Sequence, residues 1–87
     1  MKTKVSKHQL RNVIDAVEKE FLDAIEKFDA FNSGHEGYAV IKEELDELWE
    51  EIKNKNCKQP ELFSEAKQVA AMAIRFMIDI CLTQIKQ

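Results

Sequence analysis

Residues that interrupt helices are scarce in this chain, and this scarcity constrains its fold more than any other feature. The 87 residues include two glycines and one proline. Helix breaks are expected at Asn32-Ser33-Gly34 and in the polar run from Asn54 to Pro60. Between these breaks the apolar residues recur with the period of a helix, and no alternating strand pattern occurs. The sequence therefore predicts an all-α chain of three helices that forms one domain over residues 1–87.

The first two predicted helices each carry one apolar stripe, which is typical of helices that face a core. The first spans about Ser6 to Phe31, and its stripe comprises Leu10, Val13, Ile14, Val17, Phe21, Ala24, Ile25, Phe28 and Phe31. The second begins at the N-cap Ser33, and Glu36 completes a capping box. Its stripe comprises Tyr38, Ile41, Leu45, Leu48 and Ile52, so Tyr38 is predicted to belong to the core.

The third predicted helix begins at Pro60, runs to the chain end, and differs from the other two. Its residues 69–74 and 76–78 place apolar groups nearly all round the cylinder, so it must be covered on more than one side. Two partner helices from so short a chain leave part of it uncovered. We therefore expect an antiparallel three-helix chain that assembles as a helical-bundle homodimer or a tetramer, with the third helix and part of the first in the interface.

Composition and charge exclude several classes of function. The net charge of −3 argues against nucleic-acid binding, which needs a basic surface. No stretch of about 18 apolar residues predicts a membrane span, so no membrane partner is expected. Cys57 and Cys81 are too far apart for a CxxC motif, and no pair that includes His8 or His35 has zinc-ligand spacing. The N-terminus lacks the apolar core of a signal peptide, and we expect a cytoplasmic protein.

The second helix concentrates carboxylates on one side. At 100° per residue, Glu44, Glu47 and Glu51 follow one another at three- and four-residue steps, and Glu44 borders the apolar stripe. Like charges at these spacings repel, and only Lys42 and Lys53 flank the group. A divalent cation can offset the cost of burying carboxylates that have no basic partners.

The third helix offers oxygen ligands that could complete such a site. If the second and third helices pack antiparallel, Glu65 and Gln68 can face Glu44 and Glu47 across their seam. Two i,i+3 pairs of oxygen ligands on facing helices can hold Mg²⁺. The spacing equally fits a solvated acidic face, because glutamate favours helices and most charge runs lie in water. From spacing alone both interpretations remain open.

The run Glu43-Glu44-Leu45-Asp46-Glu47, followed by Glu65 eighteen residues after Glu47, resembles the MazG-like, all-α nucleoside triphosphate pyrophosphohydrolase superfamily. The motif of that family is EExxE on one helix and ExxD on the next. The resemblance covers about 38–80, and the segments HEGYAVIKEELDELWEEI and QVAAMAIRFMID look like a small MazG-related group of phages and prophages of Gram-positive bacteria. It implies a homodimeric hydrolase that uses Mg²⁺, or Mn²⁺, to convert a (d)NTP to a (d)NMP and pyrophosphate.

The resemblance also implies roles for individual residues. Metal ligands would be Glu44, Glu47, Glu65 and Gln68, and the residues implied to be catalytic are Glu43 and Glu47, with Glu43 supporting the site or orienting the attacking water. Beside these roles, Lys42, Arg75 and Trp49 are candidate contacts to the nucleotide. Arg75 equally fits a salt-bridge residue at the surface or an interface, and Trp49 equally fits a dimer contact.

Gln68 departs from the motif, which has aspartate at this position. An amide oxygen is a weaker ligand for a hard cation than a carboxylate and cannot act as a general base. One interpretation is a working enzyme with altered metal binding or a compensating ligand, for which Asp79 is a distant candidate. The other is a helical dimer that binds a nucleotide or a protein partner without hydrolysis.

Overall fold

The computed structural model describes residues 2–82 and contains three helices, α1 (Lys7–Lys27), α2 (Gly34–Lys53) and α3 (Gln59–Phe76). The chain continues from α3 through Met77–Leu82 with π-helical geometry. No strand occurs within residues 2–82, so the all-α prediction is confirmed for them. The predicted extension of the third helix to the chain end can be followed to Leu82, since residues 83–87 lie outside the described residues. None of the helices in this part of the chain is long and apolar enough to cross a membrane.

The helix starts follow from local capping chemistry. The Ser6 hydroxyl accepts hydrogen bonds from the backbone amides of His8 and Gln9. The Ser33 hydroxyl accepts one from the Glu36 amide at 3.1 Å. The Glu36 carboxylate in turn accepts from the Asn32 amide at 2.7 Å, one residue before the partner that a capping box uses. The predicted N-cap Ser33 is therefore confirmed, and Ser6, the predicted start of the first helix, is also an N-cap.

The predicted end of the first helix at Phe31 is wrong. The helix ends at Lys27, and Phe28 has an extended backbone with φ −130° and ψ 143°. The Arg75 guanidinium from α3 donates to the carbonyl oxygens of Ala24 at 3.1 Å and Phe28 at 2.6 Å. The Ala24 carbonyl also accepts the Phe28 amide at 2.9 Å, so Arg75 is a second donor there and satisfies the Phe28 carbonyl just beyond the helix.

The helix α3 lies at the centre and packs against both α1 and α2. Gly37 near the start of α2 contacts Phe76 at the end of α3, so these two helices run antiparallel. On the other flank Glu20 of α1 pairs with Lys67 of α3. The central position of α3 agrees with its apolar surface on several sides.

The core of the described chain is small. Among its hydrophobic residues only Val17, Ala24 and Ala71 are buried. The predicted α2 stripe is only partly correct, because Tyr38 is 64% exposed and is not a core residue of this chain. The positions of α2 that are not exposed instead form a neighbouring row with the spacing of a helix seam, namely Gly34, Gly37, Val40, Ile41, Glu44, Leu48 and Glu51. The helix is thus turned so that two glutamates occupy the row nearest α3.

Candidate metal centre

Three carboxylates of α2 converge at the middle of the helix. Glu43, Glu44 and Glu47 each offer one oxygen, and the three oxygens lie within 4.8 Å of one another. Glu43 and Glu47 are exposed, whereas Glu44 is half-buried in the row nearest α3. Helical spacing produces this group, since positions i, i+3 and i+4 share one side of a helix. A hard divalent cation prefers such clustered carboxylate oxygens.

The environment of Glu44 disfavours its negative charge. Burial, followed by the charges of Glu47, Glu65, Glu43 and Glu20, raises the pKa of Glu44 above its ordinary value of 4.5. All four charges are carboxylates, and they belong to three different helices. A cation placed among them would offset both the burial and the repulsion.

Glu65 brings an unsatisfied acceptor to the same region from α3. Its Oε1 atom is buried and has no hydrogen-bond partner among the described residues. A buried carboxylate oxygen without a donor is costly, and a metal ion or a proton can satisfy it. Since Glu65 also acts on the charge of Glu44, the fit between these residues and a divalent cation rests on two helices.

An open cleft of about 500 Å³ runs beside this group. Residues from three helices line it: Glu20 and Ala24 from α1, with Phe28 just after its end; Glu36, Val40, Glu43 and Glu44 from α2; and Gln68, Met72 and Arg75 from α3. Gln68 is therefore one of the residues that line the cleft. The segment from Asp29 to Asn32 closes one end. The cleft has the volume of an ordinary ligand pocket, about 300–1,000 Å³.

The candidate nucleotide contacts lie in three different environments. Lys42 is exposed and pairs with Asp46 at 3.1 Å on the solvent side of α2. Trp49 is 55% exposed, with the Lys53 ammonium 5.6 Å from the centre of its ring. Neither of them lines the cleft.

Arg75 lines the cleft but is only 3% exposed. In addition to its two carbonyl partners, its Nε donates to Asp79 Oδ2 at 3.1 Å. The same Asp79 oxygen accepts from the Phe31 amide at 3.0 Å. Arg75 and Asp79 thus fix the exit of the chain from α1, and Asp79 does not line the cleft.

Glu20 is a cleft residue that the sequence-based prediction did not include. It lies on α1 and lines the cleft together with Glu43 and Glu44 of α2. One signal could have identified it, since Glu20 falls between the buried Val17 and Ala24 at helical spacing. A glutamate in the core-facing row of a helix indicates a polar function there.

Comparisons with family models, with curated proteins and with solved structures each returned no match. The assignment of a function therefore depends on the site and on the motif in the chain itself.

Proposed function

We propose that the protein is a Mg²⁺-dependent nucleoside triphosphate pyrophosphohydrolase with a MazG-like fold. It would hydrolyse a (d)NTP to a (d)NMP and pyrophosphate. The observation that carries the proposal is the convergence of Glu43, Glu44 and Glu47 near Glu65, whose buried oxygen has no partner in the described chain. An acidic solvated face has no need for a carboxylate oxygen buried on the neighbouring helix.

In this proposal Glu44, Glu47 and Glu65 hold the cation, and Gln68 contributes its amide oxygen. Mg²⁺ usually takes one or two protein carboxylates together with waters and substrate phosphates, so three carboxylates suffice. Bound there, the cation would neutralise phosphate charge and lower the pKa of a coordinated water. Mn²⁺ would serve in its place, because it prefers the same oxygen ligands.

Glu43 is the proposed partner of the attacking water. It is exposed, lines the cleft and lies within the cluster, so it can accept a proton from a water that also contacts the phosphate. The water oxygen would bond to the α-phosphorus while the bond from that phosphorus to the α–β bridging oxygen breaks. The bridging oxygen then leaves as part of pyrophosphate. Lys42 and Trp49 would contact the nucleotide only if it extends beyond the cleft.

A homodimer or tetramer is part of the same proposal. Four large apolar residues of α1, Leu10, Val13, Ile14 and Ile25, are each more than 40% exposed, and a second copy of the chain would bury them. A groove lined by Val13, Ile14, Leu22 and Ile74 joins α1 to α3 and supports an interface on that side.

The proposal also assigns the protein to the cytoplasm. Cys57 and Cys81 are both free thiols, which are ordinary in a reducing compartment.

A helical dimer that binds a nucleotide or a protein partner without turnover is the second candidate. Gln68 favours it, because the amide that lines the cleft supplies less charge than the aspartate of the motif.

An assay for pyrophosphate over a panel of ordinary and modified (d)NTPs, with Mg²⁺ or Mn²⁺, tests the first candidate. We expect metal-dependent release that Glu47→Gln abolishes, while Glu50→Gln on the exposed side of α2 retains it. Calorimetric titration with a slowly hydrolysed nucleotide analogue distinguishes the second candidate. Binding by the folded protein without release for any nucleotide would reject the enzyme and support the binding module.

A further inference from the structure

The carboxylate Glu20 has a placement that the cluster on α2 does not explain. It belongs to α1, yet it lines the same cleft as Glu43, Glu44 and Gln68. Its side chain is 29% exposed, so it points neither fully into water nor into the apolar core. Glu20 and Glu44 therefore border one cleft from two different helices.

Glu20 forms an ion pair with Lys67 of α3 without a hydrogen bond between them. The Lys67 Nζ atom lies 3.6 Å from Glu20 Oε1, a distance longer than a hydrogen bond. Lys67 immediately precedes Gln68 in α3, so the pair joins α1 to the helix that carries Gln68. The lysine thus holds Glu20 beside the cleft without satisfying its oxygens.

The charge of the site favours a contribution from α1. Relative to the EExxE and ExxD motif, the amide of Gln68 removes one negative charge from the ligand set. Asp79, the compensating residue considered from the sequence, is engaged by Arg75 and by the Phe31 amide instead. Among the described residues of α1, Glu20 is the carboxylate that lines the cleft together with Glu43 and Glu44.

We propose that Glu20 supplies the negative charge that Gln68 lacks, and that it thereby strengthens cation binding at Glu44, Glu47 and Glu65. The inference rests on the proposed metal site, and it assigns Glu20 a positioning role through the electrostatics of that site. The independent observation beside the acidic cluster is the buried, partnerless oxygen of Glu65.

Calorimetric titration of the chelator-treated full chain with Mn²⁺ alone tests this role without any turnover. We expect Glu20→Gln to weaken Mn²⁺ binding by about 10- to 100-fold, the range seen when residues that support metal ligands are replaced. Glu20→Asp, which keeps the charge, should bind within a few-fold of the unmodified chain. Glu26→Gln makes the same charge change at an exposed position of α1 and should leave affinity unchanged.

The double variant Glu20→Gln/Gln68→Asp gives the sharpest comparison. If Glu20 replaces the missing charge, moving a carboxylate to position 68 should restore most of the affinity lost in Glu20→Gln. Glu20→Met, which suits a half-buried helix position, replaces Glu20→Gln if circular dichroism shows that the glutamine variant is unfolded.

Two results would overturn the inference in different ways. If Glu44→Gln loses Mn²⁺ binding while Glu20→Gln binds like Glu26→Gln, Glu20 is only the partner of Lys67 and the proposed metal site stands. In that case Glu20→Gln and Lys67→Met should lower the thermal midpoint alike. If the unmodified, folded chain binds no Mn²⁺, the metal site and the role of Glu20 are both rejected.

Discussion

Gly37 in α2 lies so close to the ring of Phe76 in α3 that a Cβ atom there would be 2.5 Å from Phe76 Cδ2. The same atom would be 3.0 Å from Phe31 Cδ2. Both distances are shorter than ordinary carbon contacts of about 3.5–4.0 Å. The missing side chain therefore allows the start of α2 to approach the end of α3, which sets the antiparallel pairing beside the cleft.

We expect Gly37→Ala to lower the free energy of unfolding by about 1–2 kcal/mol, because overpacking outweighs the gain in helix propensity. Gly34→Ala is the matched control, since a Cβ atom placed there would be 3.9 Å from its nearest neighbour, Phe76 Cζ. That variant should be neutral or slightly more stable. Urea unfolding of both variants measures the difference, and equal effects would contradict the close contact.

Arg75 is expected to stabilise the fold. Arg75→Met removes three hydrogen bonds and leaves the Asp79 carboxylate, which is 13% exposed, without its cation. Breaking a buried pair in this way costs about 3–5 kcal/mol, which is a large part of the stability of a small domain. We expect a strongly lowered thermal midpoint by circular dichroism.

The control for Arg75 is Arg11→Met. Arg11 pairs with Asp15 at 3.7 Å, and both side chains are more than half exposed. Its replacement should change stability by less than about 0.5 kcal/mol. If Arg75→Met instead kept its thermal midpoint and lost pyrophosphate release, Arg75 would be a nucleotide contact, as the resemblance implied.

The helices could be predicted because their signals are local. The breaks at Gly34 and Pro60 and the caps Ser6 and Ser33 act within a few residues, and all of them lie at the observed helix starts. The early end of α1 could not be predicted, because it depends on Arg75, 51 residues beyond Ala24. A pattern read over one helix length therefore never contains both Ala24 and Arg75.

The rotation of α2 about its axis was also beyond the sequence pattern. Apolar periodicity favoured a stripe through Tyr38 and Leu45, whereas the row of α2 that faces α3 passes through the buried Gly37 and the half-buried Glu44. A glycine carries no hydrophobic signal, although its small size decides which side of the helix can approach α3. Spacing within one helix predicted that Glu44 and Glu47 lie together, but it added Glu51 where the structure has Glu43. Glu20 could be placed beside this cluster only by the packing of α1.

The raised pKa of Glu44 predicts a pH-dependent stability of the metal-free protein. Between the ordinary value of 4.5 and the raised value, the folded chain binds more protons than the unfolded chain at this group. The contribution of Glu44 to the free energy of unfolding is therefore fully present below pH 4.5, and it is lost as the pH rises through the pKa of Glu44 in the folded chain. Glu44→Gln should have the higher thermal midpoint at pH 7 in a chelator, and the two proteins should converge near pH 4.

Glu50→Gln serves as the control for the pH experiment. Glu50 is exposed and pairs with Lys53 at 2.9 Å, so its replacement should not raise the midpoint at pH 7. Thermal unfolding between pH 4 and 8 gives the comparison. A Glu44→Gln midpoint that stays below that of the unmodified chain at pH 7 would show that the carboxylate is satisfied without a cation.

The apolar groove between α1 and α3 predicts how the proposed dimer can be disrupted. Ile14 is 41% exposed and lines the groove with Ile74, so a charge at this position would be buried in the interface. We expect Ile14→Glu to sediment with the chain mass of 10.1 kDa, and the unmodified protein with at least twice that mass. Glu26→Lys, on an exposed part of α1, should leave the assembly intact. A monomeric unmodified protein at micromolar concentration would reject the dimer.

Gln68→Asp tests how far the amide limits the proposed enzyme. The side chain lines the cleft with Glu44, so a carboxylate there adds a stronger ligand for a hard cation. We expect Mn²⁺ to bind more tightly and the rate of pyrophosphate release to stay equal or rise. The added negative charge should also lower the thermal midpoint in a chelator and raise it when Mn²⁺ is present, since the cation then offsets the repulsion.

Gln59→Asp, an exposed glutamine at the start of α3, controls for the added charge and should show no Mn²⁺-dependent change. A Gln68→Asp variant that is destabilised equally with and without Mn²⁺ would place Gln68 outside the metal site.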